Sequence, residues 1–264
     1  NEVLWYVHKE KIPVFPLKEQ VAWTNNMQEV YDFSPEAIFV PGNIVPYYLP
    51  GVKIQVFHGY AAEKKGHWII RNYFDAYFTQ GPFFTKGFKA LAEKHKTFEV
   101  LETGWSRQDW VKEHFHDFDS DKERMLKEAG RKHLVLYAPT FSPSLTSLPV
   151  MKEALVRLVE ERDALVIIKL HPLTRAEWVE EYKTLAATNK NILWMDDFFF
   201  FLYQLMADVM ISDTSSTIYE FLLKNKPVIT YKASANNIYW KDIDDVNLLC
   251  DAFDEVLYNE ENVR

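Results

Sequence analysis

Residues 208–230 read DVMISDTSSTIYEFLLKNKPVIT. Two short apolar runs bracket a turn dense in hydroxyls and a helical stretch. A strand, a helix and a second strand in that order pair in parallel, and a parallel strand is covered on both faces by helices. The segment therefore predicts an α/β fold with mostly parallel sheets. Thr214, Ser215, Ser216 and Thr217 fall where the helix should begin. Free N–H groups and the positive end of the helix dipole meet there, which suits a phosphate. Asp213 reads as an N-cap or as a contact to a ribose or acceptor hydroxyl. Glu220 stands three residues after Thr217, which is also capping-box spacing. A well-capped helix is the plainer reading, but four consecutive hydroxyls exceed what a cap needs.

The same alternation runs along the chain. Strands are predicted at 133–138, 165–170, 191–194, 209–211 and 227–231, with helices at 147–161, 175–188, 198–206 and 218–223. Earlier strands are predicted at 2–7, 37–40, 53–57, 73–80 and 98–101, among many proline breakers, with one helix at 83–95. Residues 105–132 are charged and lack strand signals, except for a short helix predicted at 121–129. At 264 residues, the chain is comfortable for two domains. The expected division is an acceptor-side α/β domain at 1–110, a connector at 111–132 and a nucleotide-donor α/β domain at 133–264. Two such domains facing each other would form a cleft at the strand C-termini.

A net charge of −8 leaves no basic excess for nucleic acid as the main partner. The single cysteine, Cys250, excludes an intrachain disulfide and reads as a small buried hydrophobe. A reducing, cytoplasmic compartment is expected. The longest apolar run, 198–203, is far short of a membrane span. The chain begins at Asn1 without a signal-peptide pattern, so a piece of a longer protein is expected. Neither a dinucleotide fingerprint nor a P-loop is present. Trp23, Trp68, Phe83 and Phe84, beside Lys64, Lys65, Arg71 and Lys86, read either as an aromatic core with a solvated rim or as a peripheral membrane surface.

Four clusters follow predicted strands. His58-Gly59 reads as a turn histidine or as a general base, with Gly59 permitting close backbone approach. Thr140 and Ser142 cap the next element or donate to a phosphate. Lys169 and His171 read as a snorkelling lysine and a turn histidine, or as a cation and a titratable ring suited to a diphosphate; Pro172 keeps His171 out of the helical region. The hydroxyl turn is the fourth. His114 and His116 with Asp117 and Asp119 have metal-like spacing but lie in the connector, and no metal is expected. Asp196-Asp197 reads as an N-cap.

In this order, HG after a strand, YAPT, K-x-HP and SD-x-SS-x-x-x-[DE] resemble the CDP-glycerol glycerophosphotransferases of teichoic-acid and capsule synthesis. The matching residues are His58-Gly59, 137–140, 169–172 and 212–220, and YFDAYFTQGPFFTKGF resembles the family's first-domain segment. The resemblance implies a GT-B-like fold of two Rossmann-type domains. It implies transfer of a polyol phosphate from a CDP-activated donor to a lipid-linked or oligosaccharide acceptor at the inner membrane face, releasing CMP, without a cofactor. His58 would be the base on the acceptor hydroxyl, and His171 would contact or protonate the donor phosphate. Ser215, Ser216 and Thr217 would hold the diphosphate, with Gly59, Thr140, Lys169, Asp213 and Glu220 around the substrate. This chain departs from the family at Tyr60 and Ala61, where a small polar residue and proline are usual, and at Glu220, where aspartate is usual. Rival readings are a GT-B enzyme on a nucleotide sugar, such as a glycosyltransferase or UDP-sugar 2-epimerase, and a non-catalytic nucleotide-binding module.

Overall fold

Continuous apolar strands are stable only where helices cover both faces of their sheet. The computed structural model, which describes residues 2–60, 65–197, 200–235 and 237–258, divides into two compact units. One comprises Asn1–His58 and Lys64–Gln108, the other Gly59–Glu63 and Asp109–Arg264.

The first unit contains β1 (Trp5–Tyr6), β2 (Trp23–Thr24), α1 (Met27–Phe33), β3 (Ala37–Val40), β4 (Val52–Gln55), β5 (Ala76–Thr79), α2 (Pro82–His95) and β6 (Glu99–Glu102). Strands β3-β4-β5-β6 form a parallel sheet in that order. The strand predicted at 2–7 shrinks to two exposed residues that, among the described residues, pair with β2 alone. An aromatic cluster holds α2 to the sheet: Phe88 is fully buried and lies 4.9 Å from Tyr77 and 5.2 Å from Phe57 between ring centres. Trp68 stacks on Phe84 and Phe88. That approach needs Gly87, because a Cβ there would lie 2.4 Å from the Trp68 ring. Of the aromatic group raised for a membrane surface, Phe84 is thus core, Trp68 is half-buried against it and Phe83 is exposed. Lys64 and the Lys65 side chain lie outside the described residues.

Helix α3 (Ser106–Glu113) leads into the second unit. There follow α4 (Asp119–Ala129), β7 (His133–Tyr137), α5 (Leu148–Glu161), β8 (Ala164–Ile168), α6 (Ala176–Thr188), β9 (Ile192–Trp194), α7 (Phe200–Met206), β10 (Val209–Ser212), α8 (Thr217–Leu222), β11 (Val228–Tyr231), β12 (Lys241–Ile243) and α9 (Leu249–Tyr258). The six strands run parallel in the order β12-β11-β10-β7-β8-β9. Leu155, Tyr182 and Phe253 from α5, α6 and α9 fill one face, with Cys250 among them. Met125, Tyr203 and Phe221 from α4, α7 and α8 fill the other. Helix α4 is therefore an outer-layer helix of this unit and no free connector. Lys122 on it pairs with Asp208, whose other oxygen accepts from the Leu134 N–H at 2.9 Å. The helix predicted from 198 starts, among the described residues, at Phe200.

Candidate functional site

The chain enters the six-stranded sheet at its centre with β7, runs outward through β8 and β9, then returns to β10 on the other side of β7. That reversal is a topological switch point, where open α/β sheets bind ligands at the strand C-termini. The loops that leave β7 and β10 carry Thr140 and residues 213–217.

These two loops are stitched together from below. The Ser212 Oγ donates to the Ala138 carbonyl at 2.7 Å. Asp213 is fully buried. Its Oδ1 accepts from the Thr140 and Thr214 N–H groups at 2.8 and 2.7 Å. Its Oδ2 accepts from the Ser147 N–H and Oγ at 2.8 and 2.9 Å. Burial pushes its carboxyl above the usual aspartate value, against the pull of these donors. Because the Ser147 hydroxyl gives its proton to Asp213, it must accept from the Tyr137 O–H, 2.9 Å away. Asp213 is thus a brace for the two loops, not an N-cap for α8 or a group presented to a ribose or acceptor hydroxyl. Four donors occupy its lone pairs, and Ser216 holds the N-cap position.

Ser215, Ser216 and Thr217 are half-buried at the start of α8. The Ser215 and Thr217 hydroxyls are 2.9 Å apart, and Ser215 also accepts from the Thr217 N–H at 3.4 Å. Thr214 accepts from the Ser234 N–H at 2.9 Å and so ties this turn to the loop after β11. Helix α8 has six residues, so an anion bound at its start would rely on hydroxyls and free N–H groups more than on its short dipole. Glu220 is 5% exposed. Its Oε1 lies 3.3 Å from the position a Cβ on Gly59 would take. The close approach expected at Gly59 is therefore to this carboxylate.

Two rings meet beside Thr140. His171 stacks on Phe141, with ring centres 4.4 Å apart and planes at 29°. The His171 Nδ1 accepts from the Leu173 N–H at 3.0 Å, so the neutral ring carries its proton on Nε2. Lys169 donates to the Met195 carbonyl at 3.2 Å and to the Asp197 carbonyl. It ties the end of β8 to the loop after β9. Burial lowers its ammonium below the ordinary lysine value, opposed by Asp197 and Asp196.

In the first unit, β4 ends at Gln55, two residues short of the strand predicted at 53–57. Phe57 is buried and adopts a left-handed conformation, φ 58°, at a cost of about 1–2 kcal/mol. The stacked aromatic cluster holds it there. The turn releases His58 to an exposed position, where its Nδ1 donates to the Pro41 carbonyl at 2.8 Å. Nδ1–H in this bond leaves the Nε2 lone pair as the basic atom.

Sequence patterns give no sign of Phe57, Phe141 or the Pro41 carbonyl, since each acts through backbone shape or a contact distant in the chain. Ser147 reads as a helix start; only the fold brings Asp213 to it. The remaining candidates have other partners. His114 stacks on Trp110, and His116 bonds Asp119 at 2.8 Å. The Asp197 carboxylate accepts from the Tyr203 hydroxyl. Among the described residues, no three histidine, cysteine or acidic side chains converge as a metal site. A cavity of about 340 Å³ at the N-terminal edge of β11 is lined by Lys226, Pro227, Tyr239, Trp240 and Glu255 and by none of the candidates above.

The teichoic acid ribitol-phosphate polymerase TarL of Staphylococcus aureus is 30% identical over 174 residues, 61% of this chain and 29% of that protein. The chain thus matches less than a third of this relative's length. The wall teichoic acid polymerase TagF shares 14% identity and superposes with a TM-score of 0.61 over 86% of this chain and 66% of that one. A UDP-GlcNAc 2-epimerase from Neisseria meningitidis bound to UDP-GlcNAc shares 12% identity, with a TM-score of 0.65 over 99% of this chain and 84% of that one. These likenesses show a GT-B-like fold. The model of the CDP-glycerol:poly(glycerophosphate) glycerophosphotransferases matches residues 3–261, and the chain belongs to this family.

Proposed function

We propose that this chain carries the transfer step of cell-wall polymer synthesis, moving a polyol phosphate from a CDP-activated donor to a hydroxyl of a lipid-linked or oligosaccharide acceptor. The acceptor oxygen attacks the phosphorus that bears the polyol, and the bond from that phosphorus to the bridging oxygen breaks. CMP leaves with the electron pair. The acceptor proton passes to the His58 Nε2, a contribution of about 10²–10⁴-fold. His171 donates through Nε2–H to the donor phosphate or the departing CMP. Ser215, Ser216 and Thr217 hold the diphosphate at a switch point braced by Asp213. Thr140 lines the same switch point, and Lys169 keeps the β8 loop in place while adding positive potential.

The observation that carries this reading is the opposite hydrogen bonding of the two rings. His58 donates through Nδ1 while His171 accepts through Nδ1. One is thereby suited to take a proton and the other to give one. Family membership supplies the reaction class.

The epimerase likeness favours a second reading, an enzyme acting on a nucleotide sugar. Titrating CDP, CDP-glycerol, CDP-ribitol and UDP-sugars, and identifying the released nucleotide, separates the two. CMP release with a polyol donor supports the transferase. UDP release or epimerisation, with no binding of CDP compounds, overturns it.

A further inference from the structure

Glu220 lies four residues after Ser216 and three after Thr217, so the three share one face of the α8 turn. The Cα–Cβ bonds of a helix tilt towards its N-terminus, the end of α8 that carries the hydroxyl turn. The carboxylate is almost wholly buried and abuts the backbone of Gly59. That contact brings Tyr60 alongside within the same unit, half-buried. Burial first, and then the charge of Glu220, pushes the Tyr60 phenol above its ordinary value, so it is protonated at neutral pH.

These groups differ in what they can recognise. A phosphate takes only donors, which the Ser215, Ser216 and Thr217 hydroxyls supply, and a carboxylate beside it is unfavourable. A polyol chain presents hydroxyls that both donate and accept. A neutral phenol both donates and accepts too. Glu220 is almost wholly buried against Gly59. We propose that Tyr60 is a specificity-determining residue that binds the hydroxyl chain of the polyol, and that Glu220 is the positioning residue that holds it there, through its close contact with the Gly59 backbone. The inference rests on the transferase reading above and names what distinguishes this chain's donor or acceptor from a bare nucleotide.

The test compares wild type with Tyr60→Phe, Glu220→Gln and Glu220→Asp. Affinities for CDP, CDP-glycerol and CDP-ribitol are measured by calorimetry, and KM for each donor and for the acceptor by CMP release. Tyr60→Phe should leave CDP affinity within about twofold while weakening one polyol-bearing substrate by about five- to tenfold, the loss of one hydrogen bond. Glu220→Gln should follow in the same direction, with partial recovery in Glu220→Asp. The tyrosinate absorbance lost in Tyr60→Phe should titrate at lower pH in the Glu220→Gln background, which a merely structural role for Glu220 would not produce. Equal weakening of CDP and the CDP-polyols by Tyr60→Phe, or no change in any affinity or KM, overturns the inference while leaving the transferase reading intact. Wild-type protein that binds no CDP compound overturns both.

Discussion

The His58 Nδ1–H donates to the Pro41 carbonyl oxygen at 2.8 Å, across seventeen residues of chain. This bond pins the ring and leaves Nε2 as the atom that meets a proton. Asparagine at position 58 reproduces the Nδ1 donor but has no basic nitrogen. His58→Asn and His58→Ala should each lower CMP release by about 10²–10⁴-fold. Because the ring is exposed, urea unfolding of His58→Asn should stay within about 0.5 kcal/mol of wild type. Full turnover in His58→Asn would remove the base role.

His171 is oriented by its stack on Phe141. Aromatic pairs of this kind contribute about 0.5–1.5 kcal/mol. Phe141→Ala should therefore lower kcat by roughly 2–12-fold, that energy converted to rate, while His171→Ala lowers it further. The double variant should match His171→Ala alone, because Phe141 acts only through the ring. Steady-state kinetics on the three proteins checks this; additive losses would show that Phe141 has a separate role.

Asp213 and Ser147 predict a graded loss of stability. Ser147→Ala removes the hydroxyl that donates to Asp213 and accepts from the buried Tyr137 O–H, and should cost at least about 1.5–3 kcal/mol. Asp213→Ala leaves several buried donors unpaired and should cost about 3–5 kcal/mol. The two losses should be strongly non-additive, since both act on one network. Urea denaturation of the single and double variants is the measurement.

Lys226 offers a pH signature. Its ammonium donates to the Ala207 carbonyl at 2.8 Å and to the Leu205 carbonyl. Burial first, and then the neighbouring charge of Lys122, lowers its pKa to about 8 from 10.5. Between those values the unfolded chain binds more protons than the folded one, so stability rises with pH through that window. Below about pH 8 both states are protonated and the full penalty applies. Lys226→Met should lack this rise. The wild-type minus Lys226→Met difference in unfolding free energy should grow by about 1–2 kcal/mol between pH 7.5 and 10.5, allowing for screening of a half-buried group.

Gly87→Ala should cost about 1–3 kcal/mol, because the added methyl forces Trp68 off its stack on Phe84 and Phe88. A red-shifted tryptophan emission together with a lower Tm would report the displaced ring. An unchanged spectrum and Tm would mean that the helix yields instead.

Much of this protein is set by its sequence alone. The apolar runs at 133–138, 165–170 and 209–211 can be stable only as covered parallel strands, and β7, β8 and β10 stand within those ranges or within one residue of them. The ordered motifs around His58, Thr140, His171 and Ser215 point to the family before any coordinate does. Local chemistry suffices there, because hydrophobic period and turn composition act over a few residues. Elsewhere the tertiary structure decided. Whether Asp213 faces a ligand or a loop depends on Ser147 and Thr140, more than sixty residues away in the chain. Whether Trp68 can stack on Phe84 and Phe88 depends on the missing side chain of Gly87. Which nitrogen of His58 is basic depends on the Pro41 carbonyl. A carboxylate, a ring or an imidazole has the same composition in each case; only packing between distant segments determines the partner that meets it, and the partner sets the role.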